Sequence, residues 1–309
     1  MKAKVSGTKK KINGTTFLLM ITILLFVVMY AAGMIVFNDK GFAKPQMFLN
    51  LFISNAGLLV IAMGETIVMI TAGIDISVGS VTALVCMVAA NQMENHGASA
   101  YTALLMALVI GLLFGLVQGF LVSYLEIQPF IVTLAGMFFA RGMTTIVHTD
   151  PFNVQNKAFV ALKDTRVIVP GMGSVNRIGK YVDAYVEIGV IVALLIVVLM
   201  FVMLRWSKLG RAFYAVGGNK QSALMLGINV KRTRFLAQLF SGVLAGIAGY
   251  VYFLHVGSGS ASHATGMEMN AIASSIIGGT LLTGGVGNII GTFFGVLSLS
   301  TIQNIVSSA

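Results

Sequence analysis

Two carboxylates, Glu65 and Asp75, stand out in the stretch GETIVMITAGIDISVGS, residues 64–80, because the residues around them are apolar or small. A charge inside a hydrophobic membrane segment is costly and is a functional candidate. Such a pair could bind a proton or a sodium ion. Asp75 also follows Gly73 and precedes Ser77, an arrangement in which a carboxylate accepts free N–H groups at the start of a helix. We therefore predict a helix that breaks at Gly73 and restarts after Asp75.

Glu65 lies in the middle of a predicted helix, so it must face the interior of the protein or a wet cavity. Arg141 is the only basic residue well inside a predicted span, and we predict that it pairs with Glu65. A third acid, Glu268, begins the short segment MEMNAIASSIIGG together with Asn270. A carboxylate suits that position because the N-terminus of a helix is positive.

Other chemistry is missing from the sequence. It contains no phosphate-binding loop of the form GxxxxGK[ST], no histidines at metal-ligand spacing and no nucleophile motif. We therefore expect no catalytic residue in this chain, and no metal or cofactor bound by it. The energy for any uphill transport has to come from an ion gradient or from a separate ATPase.

The elements that position these residues are membrane helices. Of the 309 residues, 57% are hydrophobic and 10% are charged, far from the roughly 25% charged residues of a soluble domain. The sequence predicts an all-α polytopic bundle of about 8–10 spanning helices, formed by residues 16–309 as one transmembrane domain after a basic segment at 1–15. Segments 77–92 and 268–283 are short and predict broken or re-entrant elements. The predicted apolar segments are 16–37, 50–72, 77–92, 101–124, 129–147, 186–204, 234–254, 268–283 and 286–306.

The net charge of +10 is concentrated before the first segment and in loop 205–234, which contains seven basic residues and no acid. Positive residues stay cytoplasmic in membrane proteins. Six segments separate the two basic regions, so both lie on the same side, and loop 149–183 is predicted to be external. We interpret the charge as a topology signal, with anionic lipid as a secondary partner and no role in binding nucleic acid.

Glycines recur every fourth residue in GLLFGLVQG, residues 111–119, and in GNIIGTFFG, residues 287–295. Such faces allow helix backbones to approach closely, and we predict that they pack within this chain. A faint internal echo relates TAGIDISVGS, residues 71–80, to GGTLLTGGVG, residues 278–287. Interrupted segments in the two halves of a transporter often flank the substrate path, so this echo predicts a second break.

Four stretches together resemble the permease subunits of bacterial ABC sugar importers of the ribose, xylose and galactoside class. They occur in the order typical of that family and extend the resemblance over about residues 15 to 306. Within it, the wording TLAGMFFARG is most similar to a permease of the galactofuranose importer. The four stretches are GETIVMITAGIDISVGSVTAL (64–84), IQPFIVTLAGMFFARGM (127–143), LGRAFYAVGGNKQSALMLGINV (209–230) and MEMNAIASSIIGGTLLTGGVGNIIGTFFG (267–295).

The resemblance implies a multi-pass protein of the bacterial cytoplasmic membrane with a cytoplasmic N-terminus. It implies three partners: an extracytoplasmic sugar-binding protein, a second permease that is either a homologue or an identical copy, and an ATPase subunit that holds ATP and Mg²⁺. It also implies that GGNKQSALMLGI couples this chain to the ATPase, with a short helix of small residues in a groove of the partner. The implied coupling residues are Gly217, Gly218, Asn219, Ser222, Ala223 and Gly227.

The implied pathway includes the break at residues 73–77, the turn at 280–287 and the face of Met137, Phe138 and Arg141, with Gly79 as a further candidate from the first signature. Members of the family normally carry one more helix and a basic tail, whereas this sequence ends at Ala309. It is therefore expected to be truncated or to be a short member. Two alternatives stay open: an ion-coupled secondary transporter that uses Glu65 and Asp75, and a basic loop anchored on lipid in place of a coupling segment.

Overall fold

The computed structural model describes residues 14–175 and 179–308. The lysines of the predicted N-terminal segment lie outside these residues. Within the described residues, seven helices are long and apolar enough to cross a membrane, and they form a helical bundle as predicted. The helices are α1 (Gly14–Val36), α2 (Pro45–Ile70), α3 (Val78–Asn95), α4 (Ala100–Ser123), α5 (Pro129–Val147), α6 (Lys157–Lys163), α7 (Ile188–Trp206), α8 (Lys208–Gly218), α9 (Lys220–Met225), α10 (Val230–Val256), α11 (Met267–Ile277) and α12 (Ile289–Ser308).

Helix ends follow local signals in the sequence. Proline occupies the first turn of α2 and of α5, where its missing N–H costs nothing. Ser99 caps α4 by accepting the N–H of Thr102, and Asn229 caps α10 by accepting the N–H of Arg232. Gly257 ends α10 in a left-handed conformation, which glycine adopts without strain.

The predicted external loop contains regular structure that the sequence reading did not anticipate. Strands β2 (Arg166–Val175) and β3 (Tyr181–Glu187) form an antiparallel hairpin with a register shift between Ile168 and Gly173. The short strand β1 (Phe152–Asn153) pairs with β4 (Ser258–Gly259). The all-α description therefore applies to the membrane bundle, and β-structure is added between α5 and α7 and, through β4, between α10 and α11.

Contacts between loops identify the two ends of the bundle. At one end, which we call the hairpin end, β1 pairs with β4, and Gln46 Oε1 accepts the N–H of Tyr185 at 2.9 Å. At the other, the basic end, Lys231 forms an ion pair of 3.3 Å with Glu126, which lies in the turn between α4 and α5. Helices α8 and α9 belong to the basic end because they lie between α7 and α10, whose other ends reach the hairpin end.

Helix α2 occupies the centre of the bundle. In its apolar 18-residue stretch, 72% of the residues are buried, compared with 17% in the corresponding stretch of α1 and 22% in that of α5. It packs against α3, α7, α10, α11 and α12. The peripheral helices expose apolar side chains, as expected of surfaces covered by lipid or by another membrane subunit. The residues between α2 and α3 are consequently held deep inside the chain.

The glycine faces pack within the chain, as predicted. A side chain at Gly111 would meet the carbonyl oxygen of Gly242, and one at Gly246 would meet the carbonyl oxygen of Ala107. Helices α4 and α10 therefore approach to backbone contact. The second face packs in the same way on α11, because a side chain at Gly295 would meet the carbonyl oxygen of Ser274.

Candidate functional site

The first break, residues 71–77, begins with a Schellman turn at the end of α2. The N–H of Gly73 donates to the carbonyl of Val68 at 3.0 Å, and the N–H of Ala72 donates to that of Met69 at 2.9 Å. The residue in the left-handed conformation is Ala72, with φ of 60°. The prediction placed the break at Gly73, whereas the residue that reverses the chain is the alanine before it.

Asp75 organises the rest of the first break through its two carboxylate oxygens. Its Oδ1 accepts from the backbone N–H of Ser77 at 3.0 Å and from the Ser77 hydroxyl at 2.6 Å. Its Oδ2 accepts from the hydroxyl of Ser241, on α10, at 2.8 Å. The predicted acceptance of a free N–H near the start of α3 is thus present, although Ser77 itself is the N-cap residue. Asp75 is 1% exposed, so these contacts replace its hydration.

Glu65 holds the first break from the side of α2. It is fully buried, and both of its carboxylate oxygens lie 3.3 Å from the backbone nitrogen of Asp75, which donates to them. The predicted Glu65–Arg141 pair is wrong. Arg141 donates instead to the backbone carbonyls of Ala261, at 3.1 Å, and His263, at 2.7 Å. It therefore fixes the segment between β4 and α11, and Glu65 supplies an acceptor for interrupted backbone.

Sequence reasoning missed three polar residues that extend this network. Besides Ser241, Gln118 on α4 donates through Nε2 to the hydroxyl of Ser77 at 2.9 Å. Gln238 on α10 donates to Oε1 of Gln118 at 3.3 Å. All three are at most 4% exposed. Gln118 lies within the stretch GLLFGLVQG, and Gln238 lies in an apolar segment. An uncharged polar residue inside a membrane span is the sequence signal that could have identified both.

The network borders a groove between α4 and α5. This groove has a volume of about 470 Å³ and is lined mainly by apolar side chains, among them Phe114 and Phe139. Gln118 forms its polar floor and lies directly against Gly136 of α5, where a side chain would collide with the amide. The groove therefore borders the buried network at Gln118, which is itself almost fully covered.

The second break, residues 278–288, begins with the same turn as the first. The N–H of Thr280 donates to the carbonyl of Ser275, and that of Gly279 to Ile276, both at 2.9 Å. The left-handed residue is Gly279, with φ of 86°, which corresponds to Ala72 in the echo noted in the sequence. Helix α12 begins directly after Asn288, whose Oδ1 accepts the N–H of Ile290 at 2.9 Å.

The two breaks meet each other and helix α8 at the basic end. The N–H of Gly285 donates to the carbonyl of Ile70, the last residue of α2, at 2.8 Å. A side chain at Gly217 would collide with that same carbonyl and would lie 2.7 Å from the nitrogen of Gly285. A side chain at Gly284 would lie 2.8 Å from the Cβ of Ala72. Three glycines therefore allow backbone contact of α8 with the end of α2 and the second break, and of the two breaks with each other.

Tyr214 adds a side-chain contact between α8 and the second break. Its hydroxyl donates to the carbonyl of Gly287 at 2.8 Å. Burial raises the pKa of Tyr214, so the phenol keeps the proton that it donates. Helix α8 is thus connected to the second break by a polar contact and by the glycine contacts.

The predicted coupling residues divide into different structural roles. Asn219 caps α9 by accepting the N–H of Ser222 at 2.8 Å, and Gly227 has φ of +77° with no atom near its missing side chain. Ala223 is 1% exposed and packs on Val216 and Val230. It therefore cannot present a small surface to a partner, contrary to the prediction. The exposed apolar side chains of this segment are Leu224, Met225 and Leu226, of which Met225 is 87% exposed.

The remaining predicted pathway residues do not form a single lining. Glu268, in the first turn of α11, lies against Gly79 of α3, where a side chain would collide with its Oε2. That oxygen is buried and has no hydrogen-bond partner among the described residues. Phe138 is 65% exposed on the outer face of α5, and Met137 and Asn270 are half-buried. Within residues 14–175 and 179–308, no three His, Cys, Asp or Glu side chains are grouped to hold a metal ion.

Comparisons with known proteins place these features in a family. Residues 47–309 match the family described as branched-chain amino acid transport system permease component. The fructose import permease protein FruG of Bifidobacterium longum is 34% identical over 307 residues, covering 98% of this chain and 88% of the relative. The inner membrane ABC transporter permease protein YjfF of Escherichia coli is 37% identical over 289 residues, covering 94% and 83%.

A third relative is the D-allose transport system permease protein AlsC of Escherichia coli. It is 32% identical over 297 residues, which cover 94% of this chain and 82% of that protein. No solved structure matches the chain. The chain and these relatives are therefore alike over most of their lengths.

Proposed function

Because the chain belongs to the family of branched-chain amino acid transport system permease components, we propose that it is the membrane-spanning subunit of an ATP-driven importer for a monosaccharide. The family membership supports a permease role, and the names of two relatives, a fructose import permease and a D-allose permease, support a sugar as the cargo. The resemblance of the sequence TLAGMFFARG to a permease of the galactofuranose importer favours galactofuranose as the specific sugar.

The proposed orientation places the basic end in the cytoplasm and the hairpin end outside the cell. The cluster of basic residues in loop 205–234 supports this assignment. The N-terminus then lies in the cytoplasm, because six helices, α1 to α5 and α7, separate it from that loop. An extracytoplasmic binding protein would deliver the sugar at the hairpin end, and an ATPase subunit would bind at the basic end.

The observation that carries the coupling proposal is the backbone contact of α8 with the last residue of α2 and with the second break. An ATPase that shifts the segment 208–228 acts directly on Gly285 and on the last carbonyl of α2, because no side chain separates them. The first break carries Asp75 and its network, which ends at the groove between α4 and α5. ATP and Mg²⁺ belong to the ATPase in this proposal, and this chain supplies the pathway.

The groove also indicates where a second permease would bind. It lies between two helices whose apolar stretches are largely exposed. Only 33% of the residues in that stretch are buried in α4, and 22% in α5. A homologous or identical partner on this face would place the polar floor at Gln118 between the two subunits. The sugar would then have a hydrogen-bonding group within an otherwise apolar passage.

The exposed end of α9, together with the residue that follows it, is the proposed contact with the ATPase. Leu224, Met225 and Leu226 form an apolar surface that a groove in a partner could cover. This assignment replaces Ala223, which is buried. The ion-coupled alternative is less well supported, because Glu65 accepts a backbone N–H and thereby has a structural role at the break.

The proposal is tested by reconstituting the chain in proteoliposomes with its ATPase, its second permease and its binding protein. We expect uptake of labelled monosaccharide that requires ATP on the cytoplasmic side of the membrane and the binding protein on the opposite side. Uptake driven by a proton or sodium gradient without ATP would refute the importer assignment and support the ion-coupled alternative.

The coupling contact is tested by a matched pair of glycine substitutions. Gly217→Ala forces a methyl group into the carbonyl of Ile70, whereas at Gly218 the nearest atom to a new methyl group lies 4.0 Å away. We expect Gly217→Ala to lose most ATP-driven uptake while the ATPase still co-purifies, and Gly218→Ala to retain it. Equal uptake by the two variants would contradict the role of the contact.

Met225→Glu should instead reduce co-purification of the ATPase.

A further inference from the structure

A second basic feature of the structure is a pocket at the basic end whose charged residues the transport proposal does not use. It has a volume of about 560 Å³ and lies between the last turn of α4, helix α9 and the first turn of α10. Its lining includes Lys220, Lys231 and Arg234, with Glu126 as the one acid. The pocket therefore carries an excess of positive charge at the N-terminus of a 27-residue helix, which is itself positive.

The charges of this pocket are only partly compensated within the chain. Lys231 pairs with Glu126 at 3.3 Å. The hydrogen bond from Lys231 and the charges of Lys220 and Arg234 hold the pKa of Glu126 below its usual range, so its carboxylate stays ionised. Lys220 and Arg234 act on Glu126 through their charge alone and form no hydrogen bond with the described residues. One acid thus faces three cations, and two of these retain all their donors.

Ser123 provides an independent indication of a ligand. It is the last residue of α4, is 2% exposed and lines the pocket. Its hydroxyl is buried and has no hydrogen-bond partner among the described residues. A buried hydroxyl without a partner is costly, and such groups are rare in native proteins. An oxygen-rich anion between Ser123 and Arg234 would satisfy both.

We propose that this pocket binds the phosphoryl group of an anionic ligand, with Arg234 and Lys220 as the charged donors and Ser123 as the hydroxyl donor. Guanidinium and ammonium groups with a hydroxyl are suited to a tetrahedral oxyanion. The phosphate of an anionic lipid headgroup and free phosphate share this chemistry. Apolar side chains beside Ser123 favour the lipid, because Phe120, Tyr124 and Leu125 are 50%, 44% and 56% exposed and could contact acyl chains.

The experiment uses the purified full chain without any ATPase, so its outcome is independent of the proposed function. Native mass spectrometry measures the lipid that remains bound after reconstitution in phosphatidylcholine with or without phosphatidylglycerol. We expect selective retention of phosphatidylglycerol by the native chain. Arg234→Gln should weaken that retention by about tenfold, as for the loss of a charged hydrogen bond, and Ser123→Ala by about threefold.

Arg232→Gln is the matched control. It removes the same charge from the same helix turn, but Arg232 is exposed and does not line the pocket. It should leave lipid retention unchanged, and Arg234→Lys should restore most of the retention lost in Arg234→Gln. If Arg234→Gln does not fold, Lys220→Gln takes its place, because Lys220 is exposed.

The outcomes distinguish the source of the phosphoryl group. Selective phosphatidylglycerol binding that depends on Arg234 and Ser123 identifies a lipid site. Binding of inorganic phosphate in detergent with the same dependence, and no lipid selectivity, identifies a free-phosphate site. Equal losses in Arg234→Gln and Arg232→Gln would show only diffuse attraction to anionic lipid and would overturn the proposal. Absence of both lipid selectivity and phosphate binding would overturn it as well.

Discussion

The two helix breaks share their opening turn and differ in almost everything that follows it. Each begins with a Schellman turn, with Ala72 in the left-handed position of the first and Gly279 in that of the second. The first break is largely buried and is fixed by carboxylates. The second exposes Leu281 and Leu282. It contacts α8 through glycine backbone and Tyr214.

The difference shows that one backbone geometry can be stabilised in two ways. Inside the bundle, water cannot satisfy interrupted backbone, so Glu65 and Asp75 supply the missing acceptors. At the basic end the requirement is close approach to α8, and only residues without a side chain permit it. The break that lines the interior is therefore rich in polar side chains, and the break that meets the coupling segment is rich in glycine.

The largest effect should follow removal of the acceptor in the first break. Asp75→Ala leaves the N–H of Ser77 and the hydroxyl of Ser241 without their partner, and we expect a loss of about 3 kcal/mol of stability. Thermal unfolding of the purified chain measures this loss. Asp75→Asn is the control, because it keeps one side-chain oxygen and should lose less. Equal stability of Asp75→Ala and the native chain would show that the carboxylate does not fix the break.

Single substitutions at the two left-handed residues should have intermediate effects, and the two effects should be opposite in sign. Ala72→Gly removes the strain of a left-handed alanine and should stabilise the chain by about 1.5 kcal/mol. Gly279→Ala introduces that strain and should destabilise it by about the same amount. The new methyl group at residue 279 lies 3.4 Å from Leu18, an ordinary contact, so conformation alone decides the sign. Shifts in melting temperature of the same sign would contradict the shared turn.

The smallest effect should come from the polar contact of the second break. Tyr214→Phe removes one hydrogen bond to the carbonyl of Gly287, and we expect a loss of about 1 kcal/mol. ATP-driven uptake should fall severalfold while ATPase co-purification is kept, because the glycine contacts of α8 persist. Tyr124→Phe is a suitable control, since Tyr124 is half-exposed at the end of α4 and its hydroxyl makes no hydrogen bond with the described residues. Unchanged uptake in Tyr214→Phe would show that the glycines alone make the connection.

Much of the fold could be predicted because membrane segments are encoded locally. Apolar runs of membrane length, basic loops and glycines every fourth residue predicted the bundle and its intramolecular glycine packing. The echo between residues 71–80 and 278–287 even aligned Ala72 with Gly279. The β-hairpin at residues 166–187 was not anticipated, although its runs RVIV and YVDAYV contain the β-branched and aromatic residues that favour strands.

The candidate site was predicted less completely, because its contacts join residues far apart in the chain. The types and positions of Glu65 and Asp75 marked a broken span, but the Glu65–Arg141 pair was wrong. Charge attraction alone does not reveal that Arg141 reaches the carbonyls of Ala261 and His263. Ala223 was assigned to a partner surface for its small size, whereas the fold buries it under Val216 and Val230.

The sequence by itself determined the membrane bundle, the two interrupted segments and the family, since hydropathy, charge and motifs are properties of contiguous residues. Only the tertiary structure decided which groups satisfy the buried carboxylates, which face of α9 is exposed and which glycines touch. These features depend on how helices approach in space, and burial removes the water that would otherwise satisfy each polar group. The meeting of Gly217, Gly285 and the last carbonyl of α2 is such a feature, and it connects the coupling segment to the end of α2 and to the second break.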